Sequence, residues 1–227
     1  MVGEYSLRWY NKSMKPLKKT LIKWSPNFAY AIGLLVTDGS LSKDGRHLDF
    51  TSRDKEQINN FIDCLSITSK IGLKKSNASS ISYYRVQWSD VNFYKFLQFI
   101  GLTPNKTKVI TSIKVPYKYF FDFLRGHFDG DGTFYAYWDK RWKSSYMFYT
   151  VFISASKKHI EWLRDVIYRL LKIKGHICKA RSIFQLKYAK AESLILLSKI
   201  YYCEDIPCLK RKHIKINKLL KIIDKKV

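Results

Sequence analysis

The chain has 227 residues, 46% of them hydrophobic, which suffices for one large domain or two small ones around a real core. The 42 Lys and Arg residues against 18 Asp and Glu give a net charge of +24, spread along the chain among 16% aromatics, and such a surface calls for a polyanionic partner. A basic tail or a one-sided membrane-surface helix is disfavoured by that even spread; no apolar run reaches membrane-spanning length, and the opening "MVGEYSLRWYNKSMKPLKK" lacks the apolar core of a secretion signal. The expectation is an intracellular protein with no membrane partner, from an organellar or microbial cytoplasm, given the abundance of Lys, Ile, Tyr and Phe. Cys64, Cys178, Cys203 and Cys208 form no CxxC pair and the five histidines no HExxH set, so the thiols read as packed or reduced and not as zinc ligands.

The elements come in a recurring order. A proline opens "SPNFAYAIGLLVTDGSL" (25–41), an apolar run of helix length with an internal glycine that ends on Asp38-Gly39. In "RHLDFTS", His47, Asp49 and Thr51 alternate with Leu48 and Phe50, the period of a half-buried strand. Ile58, Phe61, Ile62 and Leu65 then fall at helical spacing, "ISYYRVQWS" reads as another strand, and Phe93, Phe96, Leu97 and Ile100 mark a further helix. After "TPNKTK", the stretch 104–116 is bounded by prolines and reads as a linker. The plan then restarts. "VPYKYFFDFLRGHFDGDGTF" (115–134) leads to Asp131-Gly132, "YMFYTVFISAS" gives a strand, and Ile160, Leu163, Ile167 and Leu170 a helix; "SIFQLKYAK", "ESLILLSKI" and "IPCLKRK" complete the second round.

The predicted fold is therefore α+β: two αββαββα repeats, 1–103 and 117–227, each with an antiparallel sheet whose helices gather on one face. The open faces would receive the polyanion. In the first half the outward candidates are Ser40, Ser42, Arg46, His47, Asp49, Thr51, Arg85 and Gln87. The second half offers Thr133, Tyr135, Tyr137, Gln185 and Lys187, with Lys140, Arg141 and Lys143 at a hairpin tip and Lys179 and Arg181 entering the later strand.

Gly33 with Thr37, and Gly126 with Gly130, put small residues four apart, so that the two motif helices can approach along those strips. Packed side by side, they bring Asp38 and Asp131 together at helix ends that are already electronegative. That repulsion calls for a hard divalent cation, with Mg2+ the natural candidate. Taken singly, an Asp-Gly pair after a helix is also an ordinary turn.

On these residues the sequence resembles the LAGLIDADG homing endonucleases of the single-chain, two-motif type. The nine-residue signature falls on "AIGLLVTDG" (31–39) and "LRGHFDGDG" (124–132), and the likeness runs over nearly the whole chain from about Trp24. The resemblance implies a monomer that cuts both strands of a long, asymmetric DNA site, its paired sheets lying along the major groove. It implies catalytic and metal-binding roles for Asp38 and Asp131, metal contacts from the carbonyls of Thr37 and Gly130, and Mn2+ or Ca2+ as substitutes for Mg2+ in binding. Lysines near each repeat end complete the site in this family; by position these are Lys106 and Lys210, with Lys108 and Lys212 as neighbours that fit as well. Asp54 and Ser156 match a solvent-orienting position at the start of the second helix. Val36 departs from the signature where Asp129 keeps its acid, as do Arg125 and His127. Two alternatives share the scaffold, a maturase that binds its own intron RNA and a DNA-binding protein that does not cut, and a plain basic RNA-binding protein would match the charge but not the repeated acidic helix ends.

Overall fold

A computed structural model describes residues 20–75, 82–142 and 145–224. The first half runs α1 (Pro26–Asp38), β1 (Gly39–Leu41), β2 (His47–Ser52), α2 (Lys55–Leu65), β3 (Ile71–Lys75), β4 (Ser82–Ser89) and α3 (Val91–Ile100). The second runs α4 (Phe120–Asp131), β5 (Thr133–Trp138), β6 (Tyr146–Ser154), α5 (Lys157–Leu171), β7 (His176–Ala180), β8 (Ile183–Tyr188) and α6 (Lys190–Ile200), followed by α7 (Lys210–Asp224). Two short 3-10 turns, Lys106–Lys108 and Tyr117–Tyr119, lie between the halves.

Local chemistry accounts for most boundaries. Ser25 caps α1 by accepting the Phe28 amide at 3.1 Å, with Pro26 in the first turn where its missing N–H costs nothing. Asp90 does the same for α3 through the Phe93 amide at 2.9 Å, and Gly101, at φ 108°, ends that helix in a conformation that glycine adopts without strain. Within each sheet all pairings are antiparallel, in the orders β1-β2-β4-β3 and β5-β6-β8-β7. The registers correspond: Thr51 pairs with Arg85 and Asp49 with Gln87 in one sheet, Ile153 with Gln185 and Val151 with Lys187 in the other.

At the centre α1 lies against α4, and their backbones touch through glycine. A Cβ on Gly33 would fall 2.1 Å from the Phe123 carbonyl oxygen, and one on Gly126 would fall 2.0 Å from that of Tyr30. Neither position can hold a side chain unless the helices separate. The same strip brings Gly130 against Thr37, as the spacing of small residues anticipates.

Two expectations need correction. Ser42 and Arg46, expected on the open sheet face, lie instead in the β1–β2 turn, because β1 ends at Leu41; there Asp44 accepts the Arg46 and His47 amides. The second round also does not close on "IPCLKRK", since a further helix, α7, begins within it. His213, Ile216 and Leu220 recur at helical spacing in α7 and face Leu197 and, just past the end of α6, Tyr201, with the His213 ring stacked on Tyr201 at 4.7 Å. The stretch 104–116 packs closely, with Ile110 and Ile113 buried.

Candidate functional site

The C-terminal ends of α1 and α4 bring four of the expected residues together. Asp38 and Asp131 close the two helices, with Thr37 and Gly130 one residue before each; a Cβ on Gly130 would lie 1.9 Å from Thr37 Oγ1 and 2.8 Å from Asp38 Oδ2. Asp131 opens to solvent on one side and Asp38 is half-buried. Burial behind the site pushes both carboxyls up, Asp38 to about 7, where the negative charge of Asp131 adds to the effect.

Two buried lysines stand behind the acids. Lys106 directs its Nζ to the carbonyl oxygen of Gly39 and, at 3.3 Å, to that of Thr37. Lys212 donates to the carbonyls of Phe128 at 2.7 Å, Asp129 at 2.9 Å and Gly132 at 2.6 Å. Each amine thus covers carbonyls at the end of its own repeat's motif helix, beyond the reach of the helical hydrogen-bond ladder. Burial lowers both ammonium groups, Lys212 to about 8, while Asp38 and Asp131 oppose that shift.

Lys210 is the correction here. It is exposed and reaches only Glu56, its Nζ at 4.0 Å, whereas Lys212 fills the place equivalent to Lys106. The reason is helical phase, because α7 buries Leu209, Lys212 and Ile216 on one side and turns Lys210 outward. Lys108 is exposed as well. Asp54 and Ser156 are engaged elsewhere: both Asp54 oxygens accept from Arg211, at 2.9 and 2.8 Å, and Ser156 caps α5 and donates to Ile110 O.

The departures from the signature in α4 form a buried network. Arg125 is 0% exposed and donates to Asp122 Oδ1 at 2.9 Å, Pro207 O at 2.9 Å and Ile200 O at 3.1 Å, with its guanidinium over the Tyr30 and Tyr202 rings. Asp129 accepts from Tyr30 Oη at 2.9 Å, Tyr201 Oη at 3.2 Å and the Leu209 amide at 2.7 Å. Those bonds fix the start of α7, and so place Lys212. His159 donates from Nδ1 to Thr111 O at 2.6 Å, so its Nε2 accepts from His127 Nε2 at 3.1 Å. Desolvation lowers both imidazoles, His159 to about 4.

The open sheet faces follow strand alternation. Ser40, His47, Asp49, Thr51, Arg85 and Gln87 share the outer side of the first sheet, where Arg85 pairs with Asp49 and Thr51 donates to Asp49 Oδ1 at 2.8 Å. Thr133, Tyr135, Tyr137, Gln185 and Lys187 share the outer side of the second. Lys179 does not: it pairs with Phe184, in phase with buried Leu186, and so leaves on the helix-covered side. Arg181 sits in the β7–β8 turn at φ 54°, Lys140 and Arg141 are exposed at the β5–β6 turn, and Lys143 lies outside the described residues. The same registers add Lys74 and Tyr83 to the first face and Met147, Tyr149 and His176 to the second. The alternation within "YMFYTVFIS" carried that signal for Met147 and Tyr149.

No protein-family model matches the sequence. It is 31% identical over 139 residues to the uncharacterized protein MJ0398 of Methanocaldococcus jannaschii, a match over 56% of this chain and 47% of that protein, so the chain spans about half the length of the curated relative it matches. Among solved structures, the homing endonuclease I-LtrWI bound to target DNA superposes with a TM-score of 0.61 at 12% identity, covering 88% of this chain and 91% of that one. The homing endonuclease I-WcaI bound to its DNA recognition sequence gives 0.57 at 14%, covering 89% and 88%. Full-length DUF199/WhiA from Thermatoga maritima also gives 0.57 at 14%, over 91% of this chain and 63% of that one. The chain has the LAGLIDADG fold. It carries that fold in its single-chain form, with two pseudo-symmetric halves and one motif helix from each. No helix among the described residues is long and apolar enough to cross a membrane.

Proposed function

We propose that the chain is a site-specific endonuclease that hydrolyses both strands of a long, asymmetric DNA duplex, acting as a monomer with divalent metal ions, Mg2+ by preference. The observation that carries this reading is the convergence of Asp38 and Asp131 at two helix ends, both carboxyls raised by burial, in a chain of net charge +24. Among the described residues no three His, Cys, Asp or Glu side chains cluster as a metal cage, so a cation would draw on these two carboxylates and on backbone oxygen such as Gly130 O, which, unlike Thr37 O, is bonded by neither lysine. Such an all-oxygen donor set fits Mg2+, which keeps several waters and shares itself with phosphate. When bound, the ions supply an activated water and charge relief for the phosphate and the departing oxygen.

The protein's own groups do the rest. Asp38 and Asp131 would hold the ions, one carboxylate from each half. Lys106 and Lys212 place positive charge behind them, where negative charge grows on the phosphate during cleavage. The outer faces of the two sheets bind and orient the duplex, phosphates through the basic residues and bases through the strand side chains.

One observation favours a second reading. Lys106 and Lys212 balance the charge of the two acids without any ion, so a protein that binds DNA and leaves it intact could keep both carboxylates. The test uses DNA from around the reading frame, incubated with Mg2+ and then with chelator. Metal-dependent cutting of both strands, lost in Asp38→Asn and in Asp131→Asn while binding survives, supports the nuclease; Lys212→Met should slow cutting about 100-fold or more. Binding without cutting supports the second reading, and preference for folded intron RNA a maturase. In the duplex-binding readings, affinity falls steeply with salt.

A further inference from the structure

The outer face of the second sheet is aromatic where that of the first is ionic. Tyr135 pairs across the strands with Tyr149, their rings 5.1 Å apart at 21°, and Tyr137 stacks on both, at 6.4 Å and 9° and at 6.3 Å and 12°. Tyr135 and Tyr137 remain 39% and 47% exposed, and Met147 extends the patch as the partner of Tyr137. Charge is confined to its margins, with Lys140 and Arg141 at the turn and Lys187 on β8.

Stacking decides what this cluster can touch. The three rings lie nearly parallel, their centroids at the corners of a triangle, so an approaching molecule meets a continuous apolar surface of ring faces and edges. Unpaired bases stack on ring faces. A duplex major groove presents base edges instead. Guanine is read there by Arg or Lys, adenine by Asn or Gln, cytosine by a carboxylate, and thymine by apolar contact with its 5-methyl group. Among outward side chains of β5 and the paired part of β6, Thr133, Tyr135, Tyr137, Met147 and Tyr149 include none of the first three kinds.

We propose that the tyrosine cluster of β5 and β6 selects thymine, so that the base pairs under those two strands of the second sheet are read through thymine methyl groups and the half under the first sheet through polar base edges. The inference rests on duplex binding as proposed above. Lys140, Arg141 and Lys187 suit it, since they frame the patch with charge for the flanking phosphates.

The test selects random-sequence duplexes on the full chain in Ca2+, then replaces thymine by uracil, one half-site at a time, in a selected duplex. Uracil pairs alike and lacks only the methyl group, and the wild-type protein is used throughout, so no variant has to fold. The expected result is a loss of about fourfold in affinity for each methyl removed from one half-site and almost none from the other. Tyr135→Ser with Tyr149→Ser should flatten the thymine preference in that same half, and Arg85→Ala should not. Selected duplexes whose affinity ignores the thymine methyls overturn this inference and leave duplex binding standing. If no duplex is retained, or if single-stranded nucleic acid outcompetes it, the duplex-binding reading fails and this inference fails with it.

Discussion

The two motif helices do the same job by different means. Around its glycine, α1 is apolar, with Ile32, Leu34 and Val36 fully or nearly buried; at the equivalent places α4 buries Arg125, His127 and Asp129. At these three positions the first helix is held by apolar packing. The second is held there by hydrogen bonds: Pro207, Ile200 and Leu209 tie the end of α6 and the start of α7 to the helix pair, and His127 meets His159, whose bond to Thr111 ties the connection between the halves to α5. The comparison teaches that the second lysine of the site depends on this network. Lys106 follows α3 directly, in a 3-10 turn, whereas Lys212 must be delivered by a separate helix whose first residues are anchored to Asp129.

The largest effects should come from what the two helices share. Gly33→Val and Gly126→Val each drive a side chain into the opposing backbone, and either should remove the folded state outright, a loss of more than about 5 kcal/mol seen as missing cooperative denaturation. A Gly126→Val protein that unfolds at the wild-type midpoint would falsify the interlock.

Next come changes that separate the two helices. Arg125→Met strands the buried Asp122 carboxylate and should cost about 3–5 kcal/mol in chemical denaturation. Its counterpart Ile32→Val trims one methyl group and should cost about 0.5–1.5 kcal/mol. Equal losses at the two sites would dissolve the distinction between a packed and a hydrogen-bonded helix.

A pH series sharpens it further. Because burial holds His159 at about 4 against 6.5 in the unfolded chain, the unfolded state takes up the proton first, and stability is complete above pH 6.5 and declines as pH falls toward 4. The expected loss between pH 7 and 4.5 is about 2–3 kcal/mol from this residue, and His159→Gln should reduce the slope accordingly. An unchanged slope would mean that the imidazole is already charged in the fold. The smallest effect is expected at the Asp54–Arg211 pair between α2 and α7: lying at the surface, with Arg211 61% exposed, it should contribute only about 0.2–1 kcal/mol, read as a coupling energy in a double-mutant cycle.

Much of this architecture was legible because it is written in local periods. The alternation of His47, Asp49 and Thr51 with Leu48 and Phe50 identified a strand and its outward side, and the glycine spacing identified the close-packed strip between helices. Position in the motif leaves the choice between Lys210 and Lys212 open, and the period of α7 through "LKRKHIKI" resolves it: counting from Leu209 in threes and fours reaches Lys212 and Ile216, not Lys210. Lys179 was misjudged for the complementary reason, since basic character says nothing about which face of a strand a residue occupies, and only the pairing with Phe184 shows it.

The sequence by itself determined the repeated order of elements, the strand phases of β2 and β8, and the acids at the two motif helix ends, all properties of neighbours within a few residues of each other. Only the tertiary structure decided which lysine stands behind Asp131, that Asp54 is bound to Arg211, and that three tyrosines from two strands form one cluster. Each of those depends on contacts between segments far apart in the chain, whose burial and charge balance arise only when the halves close on one another.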